Sequence, residues 1–291
     1  MPKNKPWLLF AIITTAFWGL WGALIEIPEK NGFPATLGYS VWALTMILPS
    51  LFALWLVKWK LEADIRSILL GLLIGLTGAG GQLILFLALR SGPAYLVFPF
   101  ISLSPVVTIL LSLIILKERT SSRGWIGIVL ALIAIPLLSY QSSEGQFADN
   151  YSWIWLSLLV FLAWGFQAFV MKFANESMKA ESIFFYMMVT GIMLIPFAIL
   201  MTDFDIPVNW GFRGPWLTAM IQVLNAVGAL MLVFAFRYGK AIIVSPMTNA
   251  LAPVLTVIIS LSIYQVIPGI IIIAGMVLAI SSAFLLAIEN E

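Results

Sequence analysis

Apolar residues in this chain neither alternate with polar ones at the two-residue period of a strand nor keep to one face of a helix. They run on in long blocks separated by short polar breaks. The blocks are Trp7–Ile27, Ala35–Trp59, Arg66–Leu89, Ala94–Leu116 and Gly124–Tyr140, then Trp153–Met171, Ser182–Met201, Pro215–Phe236, Ala241–Tyr264 and Pro268–Ile288. At ~1.5 Å per residue, a helix of such a length crosses a hydrocarbon core of ~30 Å. The pattern predicts an all-α integral membrane protein with ten transmembrane helices. The first block is not followed by a small-residue cleavage site, so it reads as a spanning helix and not as a cleaved signal. The polar segment Gln141–Asn150 divides the blocks five and five, into residues 1–140, a linker 141–150 on the periplasmic or extracellular side, and residues 151–291.

The two halves repeat one another. Leu85–Arg119 reads LFLALRSGPAYLVFPFISLSPVVTILLSLIILKER and Leu232–Gln265 reads LVFAFRYGKAIIVSPMTNALAPVLTVIISLSIYQ. Ala88, Arg90, Gly92 and Ala94 return as Ala235, Arg237, Gly239 and Ala241. Pro99 returns as Pro246, Pro105 as Pro253 with one extra residue between, and Thr108 and Ser112 as Thr256 and Ser260. A repeated membrane unit with an odd number of helices enters its second copy from the opposite side. The expectation is therefore two inverted five-helix repeats, with a site near the midplane where they meet.

Composition excludes a soluble globule: 62% of the 291 residues are hydrophobic, 10% are charged, and the mean hydropathy is +1.06. A net charge of +2 argues for no nucleic-acid partner. The basic residues are unevenly placed. With the N-terminus inside, Lys3, Lys5, Lys58, Lys60, Arg66, Lys117, Arg119, Arg123, Lys172, Lys179, Arg237 and Lys240 fall on the cytoplasmic side, and only Lys30, Arg90 and Arg213 fall outside. This predicts a multi-pass protein of the cell (inner) membrane with both termini cytoplasmic. The chain has no cysteine and no histidine, which removes thiolate chemistry and the commonest general base and zinc ligand. No metal and no cofactor are expected.

FWGLWG near the start, FLALRSGPA closing the third block, LSPVVTILLSLIILKER and the following GWIGIVLALIAI resemble the drug/metabolite transporter superfamily, in its EamA-like ten-helix branch. The resemblance covers both halves. It implies the five-plus-five architecture and a substrate among amino acids, sugars, nucleoside-like metabolites and toxic compounds. The chain departs from the family pattern in two places. Tyr264-Gln265-Val266 stands where the first half has Lys117-Glu118-Arg119, and Val41 and Trp42 stand near the place of an arginine frequent in the second helix. The second departure disfavours an anionic substrate.

Trp18 lies eleven residues past Trp7, and Trp164 eleven past Trp153, so both sit ~16 Å deep, near mid-bilayer. Each precedes a glycine, Gly19 and Gly165, and either packs against a neighbouring helix or lines a cavity. Trp7, Trp59 and Trp153, near block ends, read as interfacial anchors. Pro99, Pro105, Pro246 and Pro253 each remove a backbone hydrogen bond and read as helix breaks, with Ser102 and Ser104 between one pair and Thr248 and Asn249 between the other. Gly71, Gly75, Gly78, Gly80 and Gly81 read as a close-packing surface. Asn225, mid-way along its block, needs a cavity or a polar partner, because an unpartnered amide in hydrocarbon costs several kcal/mol. Glu26 is a candidate for proton coupling or for contact with a substrate amine, while Lys172 reads as an interfacial cation.

Trp18, Ser102, Ser104, Trp164, Asn225 and Asn249 are thus the candidate substrate-binding residues, offering aromatic faces and hydrogen bonds but no formal charge. A membrane protease would need a histidine or intramembrane aspartates, and an ATP-driven pump a nucleotide-binding domain; the chain carries neither and is not expected to be an enzyme. The expectation is a carrier working by alternating access on a small neutral or zwitterionic metabolite, such as an amino acid. A passive channel, and a carrier of sugars or nucleosides, are the alternatives. Its partners are the lipid bilayer and the metabolite, with the chain a monomer or weak homodimer.

Overall fold

The computed structural model describes residues 5–92, 94–138, 140, 152–264 and 268–288, without the side chains of residues 94–96, 99 and 264. The linker 141–150 lies outside the described residues. Those described form helices α1 Pro6–Leu24, α2 Glu26–Lys30, α3 Ala35–Thr45, α4 Ile47–Leu56, α5 Ile65–Ser91, α6 Ala94–Ser102 and α7 Pro105–Ile114. There follow α8 Ser122–Leu138, α9 Ser152–Ala174, α10 Ala180–Met193, α11 Ile195–Leu200, a π-helical turn Phe212–Trp216 running into α12 Leu217–Tyr238, α13 Ala241–Tyr264 and α14 Ile270–Ala287. There is no strand among the described residues. Eight spans are long and apolar enough to cross a membrane, and two further apolar helices, over 100–114 and 122–138, are shorter.

Proline explains why some blocks are interrupted. Pro49 has no N–H for the carbonyl of Thr45, where α3 ends; Pro196 stands in the same relation to Ile192, one residue before the end of α10. Pro105 opens α7, where its missing N–H costs nothing. Pro246 and Pro253 correct the expectation of helix breaks, for α13 runs through both without interruption. The prolines leave the carbonyls of Ile242 and Asn249 without their helical N–H, while polar side chains nearby donate to other carbonyls of the helix: Thr248 Oγ1 to Val244 O (2.9 Å), Asn249 Nδ2 to Ser245 O (2.9 Å) and Thr256 Oγ1 to Ala252 O (3.2 Å). α1 stops at Leu24, so Glu26 begins a separate short helix.

The halves interlock. α1 packs on α12 and α13 of the other half, and α9 packs on α5 and α7. The two contacts are built alike. A methyl group on Gly19 would come 2.4 Å from Leu255 Cβ, and one on Gly165 2.4 Å from Val107 Cβ, so only glycine allows either approach. Thr256 Oγ1 donates to Gly19 O (3.1 Å) and Thr108 Oγ1 to Gly165 O (2.9 Å). Trp18 Nε1 donates to Asn225 O (3.3 Å) and Trp164 Nε1 to Gly78 O (3.2 Å).

Trp7 corrects another expectation. It is 2% exposed and lies on Gly239, as Trp153 lies half-buried on Gly92, so both are packing residues and not interfacial anchors. Large apolar side chains such as Ile65, Ile114, Leu200 and Ile270 point outwards instead, 71–82% exposed, as they do where the surrounding solvent is lipid.

Candidate functional site

Between the interlocked helices lies a cavity of about 910 Å³. It reaches from mid-protein to the end of the molecule that carries α2. The wall includes Trp18, Ser102, Ser104, Trp164, Asn225 and Asn249, which come from five separate stretches of chain. Of the four prolines, Pro253 is on the wall, Pro105 and Pro246 are buried in the helix packing, and the side chain of Pro99 lies outside the described residues. Glu26 is at the mouth, not at depth. It accepts from Lys30 Nζ at 2.6 Å, and both side chains are more than half exposed.

Other wall residues escaped the sequence reading. Trp21 lies one turn beyond Trp18, and its Nε1 donates to Gln222 Oε1 (3.0 Å). Gln222 lies one turn before Asn225, whose Nδ2 reaches the same oxygen at 3.5 Å, while Gln222 Nε2 donates to Gly38 O (3.3 Å). One glutamine thus joins α1, α12 and α3. The signal was the three-residue spacing, Trp18 to Trp21 and Gln222 to Asn225, which puts both members of each pair on one helix face. Tyr39 and Trp42 of α3 are also on the wall, with ring centroids 5.4 Å apart in an edge-to-face pair, and Tyr39 OH donates to Gly191 O (3.1 Å).

The opposite end is shut. Phe10 of α1 stacks on Phe234 (5.2 Å) and Tyr238 (5.7 Å) of α12. The Glu118 carboxylate accepts from the backbone N–H groups of Ala241 and Ile242 (both 3.0 Å), capping the start of α13. Arg237 donates to Met178 O (3.2 Å) and Lys240 to Arg119 O (3.0 Å). Burial pushes the Glu118 carboxyl above its ordinary range, against the pull of those two N–H groups and of Lys172 and Lys240.

The model of the EamA-like transporter family matches residues 5–140 and 151–288, nearly the whole chain in two successive copies. The chain belongs to the EamA-like transporter family. As a family member it is a membrane transporter of small solutes. It is 26% identical to Protein LicB of Haemophilus influenzae over 210 residues, which cover 69% of this chain and 70% of that one. It is 46% identical to an uncharacterized protein of Methanocaldococcus jannaschii over 59 residues, 20% of this chain and 43% of the other. One solved crystal structure, of a protein 14% identical, superposes with a TM-score of 0.79 over 97% of this chain and 96% of its own, which shows a shared fold. In this EamA-like chain the cavity lies where the two matched copies meet.

Proposed function

We propose that this chain is a carrier that moves a small polar or amphipathic metabolite, without net negative charge, through the central cavity by alternating access. In this reading residues 1–140 and 151–291 are inverted five-helix repeats, ten transmembrane helices in all, joined by an outer linker at 141–150. The supporting observation is the cavity itself: the six polar or aromatic residues expected at similar depth line a single space open at one end and closed at the other. The bias of lysine and arginine puts the closed end in the cytoplasm, so the cavity faces outwards from the inner membrane. A cavity shut at one end favours a carrier over a passive channel, which needs a continuous path. The wall has no arginine, in keeping with a neutral, zwitterionic or positive ligand.

Counterflow in proteoliposomes tests the mechanism, after a thermal-shift screen of metabolites has supplied a ligand. A carrier shows saturable flux and accelerated exchange; flux without saturation would return the chain to the channel reading. Orientation is tested on this cysteine-free chain by single cysteines. Ser143→Cys, on the linker, should react with an impermeant thiol reagent in intact cells, and Ser121→Cys should not.

A further inference from the structure

Large apolar side chains stand out of the connection between α11 and α12. Phe204, Ile206, Trp210, Phe212 and Trp216 are each more than half exposed. An exposed apolar patch of this kind marks a contact with membrane or protein, not a solvated loop. The patch continues two stripes of exposed apolar residues on the neighbouring helices. Met193, Phe197 and Leu200, spaced four and three apart on α10 and α11, lead into it, and Trp216 and Met220, four apart, lead out. The patch lies at the mouth end of the cavity. Trp153, near the same end, is taken up by packing against Gly92 and is not available to the membrane surface.

The connection is held in place beside the mouth. Asn209 donates from its backbone N to Gly32 O (2.9 Å) and from Nδ2 to Asn31 O (2.8 Å), and its Oδ1 accepts from Gly211 N (2.9 Å). A side chain on Gly214 would overlap Asn209 O, so only glycine lets the chain fold back there. Trp210 meets the buried Phe33 edge-on, with ring centroids 6.2 Å apart, and Arg90 at the end of α5 donates to Met201 O. The cavity wall includes no residue of 202–216 among the described residues, so the patch is not a lid. Asn31 and Gly32, to which Asn209 is bonded, directly follow α2, and α2 forms part of the mouth.

We infer that residues 202–216 form a membrane-surface anchor, which seats its aromatic side chains in the headgroup layer of the leaflet at the mouth end and, through Asn209, ties α2 to that surface. The bilayer suits this patch better than a second copy of the chain does. The patch runs on from stripes that face lipid, and tryptophan and phenylalanine at the end of a span suit the headgroup layer. Its charge is small and mixed, Asp203 and Asp205 against Arg213, so the anchor requires no anionic lipid. The inference goes beyond the carrier reading and does not rest on it. A nanodisc presents both leaflets, so the outcome is the same whichever face the mouth takes and whatever the cavity carries.

The test is the fluorescence of a bimane label on single cysteines of the full chain in phosphatidylcholine nanodiscs. It is quenched either by iodide in the water or by lipid carrying a nitroxide at the top of its acyl chain. Labels at Ile206→Cys and Phe212→Cys should behave like one at Leu200→Cys, on the lipid-facing stripe, and unlike one at Glu176→Cys, in the exposed turn between α9 and α10. Both should be quenched by the lipid, with iodide quenching about threefold or more below that at Glu176→Cys. Iodide quenching equal to that at Glu176→Cys would make the connection a solvated loop. Shielding from iodide without quenching by the lipid would put a second copy of the chain over the patch. Lipid quenching that arises only when phosphatidylglycerol is added would mean an electrostatic headgroup contact. Each of these three overturns the inference, and either loop position decides it if the other variant fails to fold. The tie to the mouth is read from a nitroxide on Lys30→Cys in α2. Adding Asn209→Ala should speed its motion about twofold or more while the lipid quenching at Phe212→Cys persists. Unchanged motion would leave the anchor unconnected to the mouth and overturn the inference as stated.

Discussion

The contact of α1 on α12 and that of α9 on α5 use one set of parts and do different things with them. In each, a tryptophan N–H is tied to a backbone carbonyl of the long helix, Trp18 to Asn225 and Trp164 to Gly78. A glycine then admits the tryptophan ring, Gly228 in one case and Gly81 in the other. The side chains at the matched positions differ. α12 carries Gln222 and Asn225, which face the cavity, Gln222 accepting from Trp21 Nε1; α5 carries Gly75 and Gly78, closely covered by Thr190 and by the Gln167 amide. The duplicated backbone supplies a symmetric scaffold, and of these two contacts only the one on α12 turns amide side chains to the cavity; Gln82, Ser102 and Ser104 of the first copy reach the wall from other positions. The shared tryptophans Trp18 and Trp164 give the wall aromatic surface from both copies, and the amides of Gln222 and Asn225 are what α12 adds.

That comparison can be broken at the shared parts first. A valine at Gly165 would drive Cβ to 2.5 Å from Ser104 O, a backbone atom that cannot step aside. Overpacking costs about 1–3 kcal/mol or more, so Gly165→Val should give the largest loss, seen as a fall in Tm or in the yield of monodisperse protein. Gly80→Ala, whose nearest atom would be Leu76 Cδ1 at 3.7 Å, should leave both unchanged.

The differing parts come next. Asn225→Ala and Asn249→Ala should raise ligand Kd roughly tenfold, from about 1–3 kcal/mol of lost contact, with Tm little altered. Gly78→Asn, the matched position in the other contact, should leave Kd near the parent value and lower stability instead, because Gln167 must move. Equal effects on Kd at the two positions would mean that both contacts form the site.

A smaller effect separates the open end from the closed one. A carboxyl whose folded value is raised holds its proton more tightly in the folded protein than in water. For Glu118 the resulting stabilisation is complete below the ordinary carboxylate value and is lost as pH rises through the raised value. Between those two values Tm should therefore climb as pH falls, and Glu118→Gln should flatten that slope. It should also cost about 1 kcal/mol for one weakened cap. The smallest change expected is at the mouth. Glu26 and Lys30 form an exposed pair, so Glu26→Gln should shift stability by less than about 1 kcal/mol. If Glu26 carries a coupling proton, the same variant loses the dependence of uptake on a pH gradient while exchange persists; unchanged pH dependence leaves it an interfacial residue.

Much of this was legible from sequence. Apolar blocks of spanning length and the repeat of Leu85–Arg119 in Leu232–Gln265 depend only on residue order. The depths of Trp18 and Trp164 follow from helix rise alone. The interruptions at Met46 and Leu194 follow from Pro49 and Pro196, which lie outside the stretch repeated between Leu85–Arg119 and Leu232–Gln265. Pro246 and Pro253 run the other way: α13 passes through both, and a proline's place in the sequence does not say whether its helix breaks.

Sequence by itself determined the class, the number and rough position of apolar segments, the duplication and the pool of polar residues at mid-depth, because each follows from local composition and the rise of a helix. Tertiary structure decided which of those residues share a wall. It decided that Trp7 is buried against Gly239, that Trp21 and Gln222 are bonded across 201 positions of chain, and that one end is open while Glu118 caps the other. Above all it decided which hydrogen-bond donors remain for a ligand. A side chain's donors are fixed by its type, but whether they are engaged depends on a partner brought from another helix, and that is set by packing.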